Sequence, residues 1–483
     1  MDWLLPGIAA AVGLLLLALV VRVLLPSKQE PELEKIEEDC SGSFPRLPGA
    51  LPHLPEWLLA ERDPPYDLRE FFAPIPAEEN AAPLYLEALA EFHGDAAVCL
   101  HPSQRAAARQ AAEARVRVFE EVFDSATSTI RPNSNLDAIE RALAPFDAGF
   151  AKIALAQTRP RCAFELSPEM PITHMPAIRQ LALAAQLRVL RDCHHREFDR
   201  AIDTVEMMLR TIRDLQYRGH LMAQIFASLF QNKTAAMVSC LAREDGLTVN
   251  RLERLIDLLD GHNRAMLLFP LAEGIRMEYV VIRMGLHDIE HRTGSFSLVG
   301  LQRVSRIWKR RFRSIGEVLT HSSTIGGYLG KSRPPRRRAT QYDAKLRKMT
   351  AADFEVEARY CNLFCKEAIA VAELPFEKQG GQQFRLEQLQ RSSFLLPALW
   401  GVYPRIGIPI ARGQAMIGAA LCVAAVRRWI LGNADKPPDL DTALAAAGIE
   451  VPLLDPFSEK PYQLSFNEDK IQIHWEDAEP YVA

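Results

Sequence analysis

From Ile202 onward the apolar positions Val205, Leu209, Ile212 and Leu215 recur at steps of three or four, which at 3.6 residues per turn lines them along one face of a helix. Leu183, Leu187 and Leu190 make such a stripe before it, and Leu221, Met222, Ile225, Phe226, Leu229 and Phe230 make a wider one after it. The joints between them are short and polar: Asp192 to Asp199, Tyr217 to Gly219, and Glu244 to Gly246, where the glycine suits a left-handed C-cap. Residues 177–260 therefore predict three consecutive amphipathic helices and the start of a fourth, folded back on one another as hairpins.

The same pattern predicts helices beginning at Ala77, from Ser103 to Val122, and from Leu136 to Thr158 behind a cap at Asn133 to Asn135. Further helices are expected from Ala265 to Met284, after a break at Gly261 and His262, from Ala351 to Ala372, and from Ile410 to Ile430. A short helical turn follows at Asp441 to Ala445. Gln463 to Phe466 and Ile471 to Trp475 then alternate around a polar turn, which predicts a β-hairpin.

Trp3 to Val21 is a run of 19 uncharged residues, about 28 Å as a helix and close to the hydrocarbon thickness of a bilayer. It predicts a single transmembrane anchor. The flank before it carries no Lys or Arg and no small-x-small cleavage site follows Leu25, which argues against a cleaved signal peptide. Arg22 and Lys28 behind the run favour a cytoplasmic body by the positive-inside rule, against a local excess of acidic residues from Glu30 to Asp39. Prolines between Pro45 and Pro76 forbid long helices there. The organisation expected is an anchor (1–26), a proline-rich acidic tether (27–76), a helical-hairpin body (77–313), a basic linker (314–350), C-terminal helices (351–435), and a small helix plus hairpin (436–483). In class this is a mainly α, irregular tetratricopeptide-like fold with an N-terminal transmembrane helix and a small C-terminal β-hairpin.

With 48% hydrophobic and 24% charged residues and a net charge of -4, the composition is that of a globular protein and argues neither for a nucleic-acid binder nor for an acidic tail. The charge is uneven. Between Arg303 and Lys348 there are 14 Lys or Arg against Glu317 and Asp343. Lys309, Arg310, Arg311, Arg313, Arg336, Arg337 and Arg338 form a candidate contact for anionic lipid headgroups, each basic residue contributing about 1 kcal/mol near the surface. Nucleic acid is the second possible ligand for this patch, but the chain lacks the aromatic stacking platform that single-stranded nucleic acid requires.

The sharpest catalytic pattern is His287-Asp288-Ile289-Glu290-His291, the H-x-x-E-H arrangement of inverted zinc proteases. On a helix His287 and His291 share a face, so both imidazoles can ligate zinc while Glu290 acts as general base, with Glu367 as a third ligand downstream. The surrounding alternating strands of that protease class are missing. Cys193-His194-His195 is a second metal candidate at a helix-hairpin bend, short of a full ligand set, and Cys361 and Cys365 share a helix face without two further ligands. The remaining cysteines are scattered through apolar pattern as small buried hydrophobes. No Gly-rich phosphate loop, nucleophile elbow or Cys/His zinc spacing appears, so no cofactor is expected.

Asn80 to Tyr85, Phe198 to Ile202 and, most specifically, Leu454-Asp455-Pro456-Phe457-Ser458-Glu459-Lys460-Pro461-Tyr462 resemble a group of uncharacterised, membrane-anchored bacterial helical proteins that end in a "DPFSGKP" segment and a small hairpin. That segment is also similar to the C-terminal part of type II secretion pseudopilins. Here Glu459 stands where glycine is usual, and the Ser-x-Gly-x-Asp-Gly segment that supports calcium binding and the prepilin cleavage motif are both absent, so the resemblance carries over no calcium site. Phe198 to Ala201 matches the start of a second tetratricopeptide helix, although His195 replaces the expected glycine and no 34-residue recurrence follows. Together these features imply a membrane-tethered, non-catalytic interaction or scaffold protein with a protein partner in the membrane or envelope. A zinc-dependent hydrolase using residues 287–291 is the alternative.

Overall fold

In the computed structural model, which describes residues 54–124, 129–130, 135–164, 174–266, 270–292, 348–396, 403–433, 435–467, 470–475 and 481–482, several helices begin where a side chain accepts from the free N–H groups of the first turn. Asp67, Asn135, His220 and Asp439 do so, and Thr350 and Asp353 reciprocate as a capping box. The chain is mainly helical. Single turns α1 (Glu56–Leu59) and α2 (Leu68–Phe71) precede α3 (Ala82–Leu89), a 3-10 turn at Gly94–Cys99 and α4 (Pro102–Glu120). Two-residue strands β1 (Phe123–Asp124) and β2 (Thr129–Ile130) pair antiparallel. The stretch predicted as one helix to Thr158 is two, α5 (Leu136–Leu143) and α6 (Asp147–Ala156), because Pro145 forces a 3-10 turn between them.

The central hairpins are α7 (His174–His194), α8 (Phe198–Gln216), α9 (Leu221–Ala242) and α10 (Val249–Met266). The break expected at Gly261 and His262 does not occur: His262 is buried inside α10, and Gly261 faces open space. Nor does Gly246 take a left-handed conformation. A Cβ there would lie 2.6 Å from Phe198 Cε2, so close packing explains the glycine. The left-handed joint residues are instead Arg196 and Arg218, with φ of 59° and 49°.

The chain continues through α11 (Pro270–Arg292), α12 (Ala351–Ala372), α13 (Phe376–Gln379), α14 (Gln383–Ser392), α15 (Tyr403–Asn433) and α16 (Leu440–Ala446). The expected hairpin is present as β3 (Gln463–Asn467) and β4 (Lys470–His474), with Phe466 opposite Ile471, and a third strand, β5 (Tyr481–Val482), extends it. Ile471 and Ile473 turn inward while Lys470 faces solvent.

The organising contact joins α9 to α15, with α10 and α16 against α15 as well. A solenoid repeat touches only its sequence neighbours. Here a helix from far along the chain packs on the central hairpins, so the body departs from a tetratricopeptide stack. Small residues permit the approach: a Cβ on Gly413 would meet Gln231 Oε1 at 2.1 Å and Ser228 Cα at 2.9 Å. Among the described residues Gly407–Asn433 is the helix long and apolar enough to cross a membrane, yet 61% of its apolar window is buried inside the protein. The sequence-predicted anchor at 3–21 lies outside the described residues.

Two further segments dock on this core. The Leu454 to Tyr462 segment winds around Asp455, whose carboxylate accepts from Phe457 N (3.0 Å) and Ser458 Oγ (2.7 Å), and Tyr462 donates to Ala415 O on α15 at 3.1 Å. Glu459, at the position where the resembling proteins have glycine, has a φ of 52°. The second is the C-terminal part of the expected tether. Prolines limit its helices to single turns but do not prevent burial, and Leu58 and Leu68 sit inside the apolar core.

Candidate functional site

Three side chains from two helix ends converge at the bottom of the central hairpins. The last turn of α7 closes as a Schellman motif: Arg196 at the left-handed position donates to Cys193 O (2.9 Å), and Glu197 N donates to Asp192 O (2.8 Å). That turn points Cys193 inward, 2% exposed, while His194 and His195 face solvent. His195 Nε2 lies 2.7 Å from Glu140 Oε1, an ion pair when the imidazole is protonated. The expected Cys-His-His cluster therefore splits, with the thiol and the imidazoles on opposite sides of the turn. Inside, Cys193 meets Cys240 in the last turn of α9 and Glu244 just beyond it, their ligand atoms all within 4.8 Å of one another. The hydrogen bond from Cys193 holds Cys240 below the usual thiol range, and the same contact, with burial, pushes Cys193 up. Cys193 and Cys240 are 47 positions apart, so no local spacing signals the pair. Only the antiparallel return of α8 between α7 and α9 brings them together.

The H-x-x-E-H residues occupy the end of α11. His287 is stacked face to face on Trp57, ring centroids 3.9 Å apart and 11° between planes. Glu290 is half-buried, and the His291 side chain lies outside what the structure describes. Glu367 forms an ion pair with Arg385 at 2.8 Å. Helices α11 and α12 run antiparallel, since Arg276 pairs with Glu373 (2.7 Å) and Tyr279 with Asn362 (3.1 Å). That register sets Glu367 beside the first half of α11, roughly 12 Å along the axis from the level of His287. The proposed third ligand is thus not brought to the histidine. Of the candidate lipid-contact residues, Lys309, Arg310, Arg311, Arg313 and Arg336 to Arg338 all lie outside the described residues.

A cluster that the sequence pattern does not signal fastens the segment around Glu61 and Tyr66 to α11 and α12. Arg283 donates to both oxygens of Glu61, from Nε at 3.1 Å and Nη2 at 2.7 Å, and Tyr279 (3.1 Å) and Asn362 (2.9 Å) donate to the same carboxylate. Tyr66 adds a bond to Arg276 O at 2.5 Å. The Glu61 and Arg283 side chains are 12% and 11% exposed, so removal of either leaves a nearly buried charge unpaired. A bidentate fork of this kind fixes orientation as well as position. No protein-family model, curated protein or solved structure matches the chain, so the functional reading rests on its own residues.

Proposed function

We propose that the chain is a membrane-tethered, non-catalytic interaction protein whose helical body presents a surface to a protein partner in the membrane or cell envelope. The observation that carries this reading is the outer face of α12. Val356 and Leu363 are 50% and 48% exposed at a spacing of two turns, with half-buried Tyr360 between them. Such a stripe suits an amphipathic helix laid along it. Burial of α15 supports assigning that helix to the core, and Trp3 to Val21 is the proposed anchor. Tethering of the body at the membrane would raise its effective concentration toward membrane components. The basic run from Arg303 to Lys348 adds a salt-dependent attraction to anionic headgroups.

Crosslinking in intact cells followed by mass spectrometry tests the reading. A specific partner is expected with the native chain and is lost with Val356→Glu combined with Leu363→Glu, two substitutions at half-exposed positions that leave the core untouched. Recovery of the bait alone, or capture unaffected by the double substitution, overturns it. Reversal of Lys309, Arg310, Arg311 and Arg313 to Glu is expected to weaken membrane association at low salt and to have little effect at high salt.

A further inference from the structure

We propose that Cys193, Cys240 and Glu244 form a binding site for a thiophilic divalent cation of the zinc class, which joins the last turn of α7 to the last turn of α9. The donor set decides the class of ion. Two sulfur ligands and one carboxylate select zinc, or cobalt as its spectroscopic substitute, over magnesium and calcium, which take oxygen ligands. The geometry fits. Around a tetrahedral ion with Zn–S bonds of about 2.3 Å the sulfurs lie about 3.7 Å apart, and the three ligand atoms here are all within 4.8 Å of one another. A rotamer adjustment of about 1 Å, well within side-chain reach, closes the remaining gap.

The surroundings favour the ion as well. Cys193 is anchored by the Schellman turn and Cys240 by an uninterrupted helix, so two ligands stand on rigid backbone. Cys240 and Glu244 are half-buried, which gives the ion an entry path and leaves its fourth position to water. Binding then forms two S–M bonds and one O–M bond as the two thiols release their protons to solvent, with no change of oxidation state. Affinity is expected to rise with pH accordingly. The site stands independently of the interaction surface on α12.

The test uses the full chain in detergent, kept reduced, stripped with chelator and titrated with Co2+. One equivalent is expected to produce an intense thiolate-to-cobalt band in the near ultraviolet together with tetrahedral d–d bands in the visible. Cys193→Ser and Cys240→Ser are expected to abolish the charge-transfer band. Because a buried serine can fail to fold, Glu244→Gln carries the decision on its own. Loss of even an outer-shell partner costs about 10-fold to 100-fold in affinity, so loss of this ligand is expected to weaken Co2+ binding by at least about 10-fold, with an unchanged circular dichroism spectrum. Zn2+ is expected to raise the melting midpoint of the native chain more than that of Glu244→Gln. Absence of the band while thiol titration finds both cysteines reduced overturns the proposal. So does a band that persists in both serine variants, or equal affinity in Glu244→Gln. Isolation of the chain with Cys193 and Cys240 joined as a disulfide overturns it in favour of a redox pair.

Discussion

Gly413→Ala is expected to destabilise the protein because α15 belongs to the core, and the structure gives the size of the effect. A Cβ at this position lies 2.1 Å from Gln231 Oε1, 2.8 Å from Ser228 Cβ and 2.9 Å from Ser228 Cα. The glutamine end can swing away. The Ser228 Cα cannot, so α9 and α15 must separate by several tenths of an ångström along their main contact. Overpacking of this kind costs about 1–3 kcal/mol, against a gain of about 1 kcal/mol from replacing glycine in a helix interior. The net is a loss of up to about 2 kcal/mol, the backbone obstacle placing it at the upper end of that range. Gly261→Ala in α10 is the control. It sits in a helix interior with nothing within 4 Å of the new Cβ, so only the propensity gain of about 1 kcal/mol applies. Urea unfolding of the full chain, followed by far-ultraviolet circular dichroism, should move the two midpoints in opposite directions. If Gly413→Ala is neutral or stabilising, α15 does not lie against α9, and the assignment of this apolar helix to the core fails.

Four further outcomes follow from the geometry. His262 is buried beside Arg213, and burial first, then that guanidinium, pushes its pKa down to about 3. The unfolded chain therefore takes up a proton that the fold refuses, and stability is full above about pH 6.5 and falls by up to about 1.4 kcal/mol per pH unit from there toward pH 3. His262→Gln should flatten that slope in equilibrium unfolding measured across the same range. Glu61→Gln, Arg283→Met and the double variant should give a coupling of roughly 3 kcal/mol in a double-mutant cycle, with faster proteolysis of the 54–72 segment in each single variant; a coupling near zero would remove the clamp from the account. Glu459→Gly should stabilise by about 1 kcal/mol, since it relieves a left-handed residue and loses only an exposed pair with Lys378 at 3.4 Å; a destabilised variant would contradict the backbone geometry. In the native, metal-free chain an aromatic disulfide reagent should modify Cys240 well before the fully buried Cys361, Cys365 and Cys422, and equal rates at these sites would contradict their burial.

Much of the secondary structure was legible because its causes are local. The stripe Val205, Leu209, Ile212 and Leu215 needs only the helical repeat, Asn135 caps the helix it immediately precedes, and the alternation of Ile471 and Ile473 needs only the pleat. Pro145 shows where local reading stopped short, since a strong apolar pattern ran past a residue that cannot continue the helix.

Partner choice was decided by the tertiary structure. An apolar, glycine-containing stretch from Ile410 to Ile430 has the composition of either a core helix or a membrane span, and only its burial against Ser228 and Gln231 separates the two. Gly246 read as a cap from its position but is glycine because Phe198 lies on it. Cys193 read as one end of a Cys-His-His cluster, yet the turn at Arg196 sends the imidazoles outward and the thiol toward Cys240 and Glu244. The residues that grip Glu61 come from two helices more than 200 positions downstream. Periodicity states that a face must be covered, and capping states where a helix starts. Neither carries the long-range pairing that chooses the cover, because that choice depends on which surfaces fit once the whole chain has condensed.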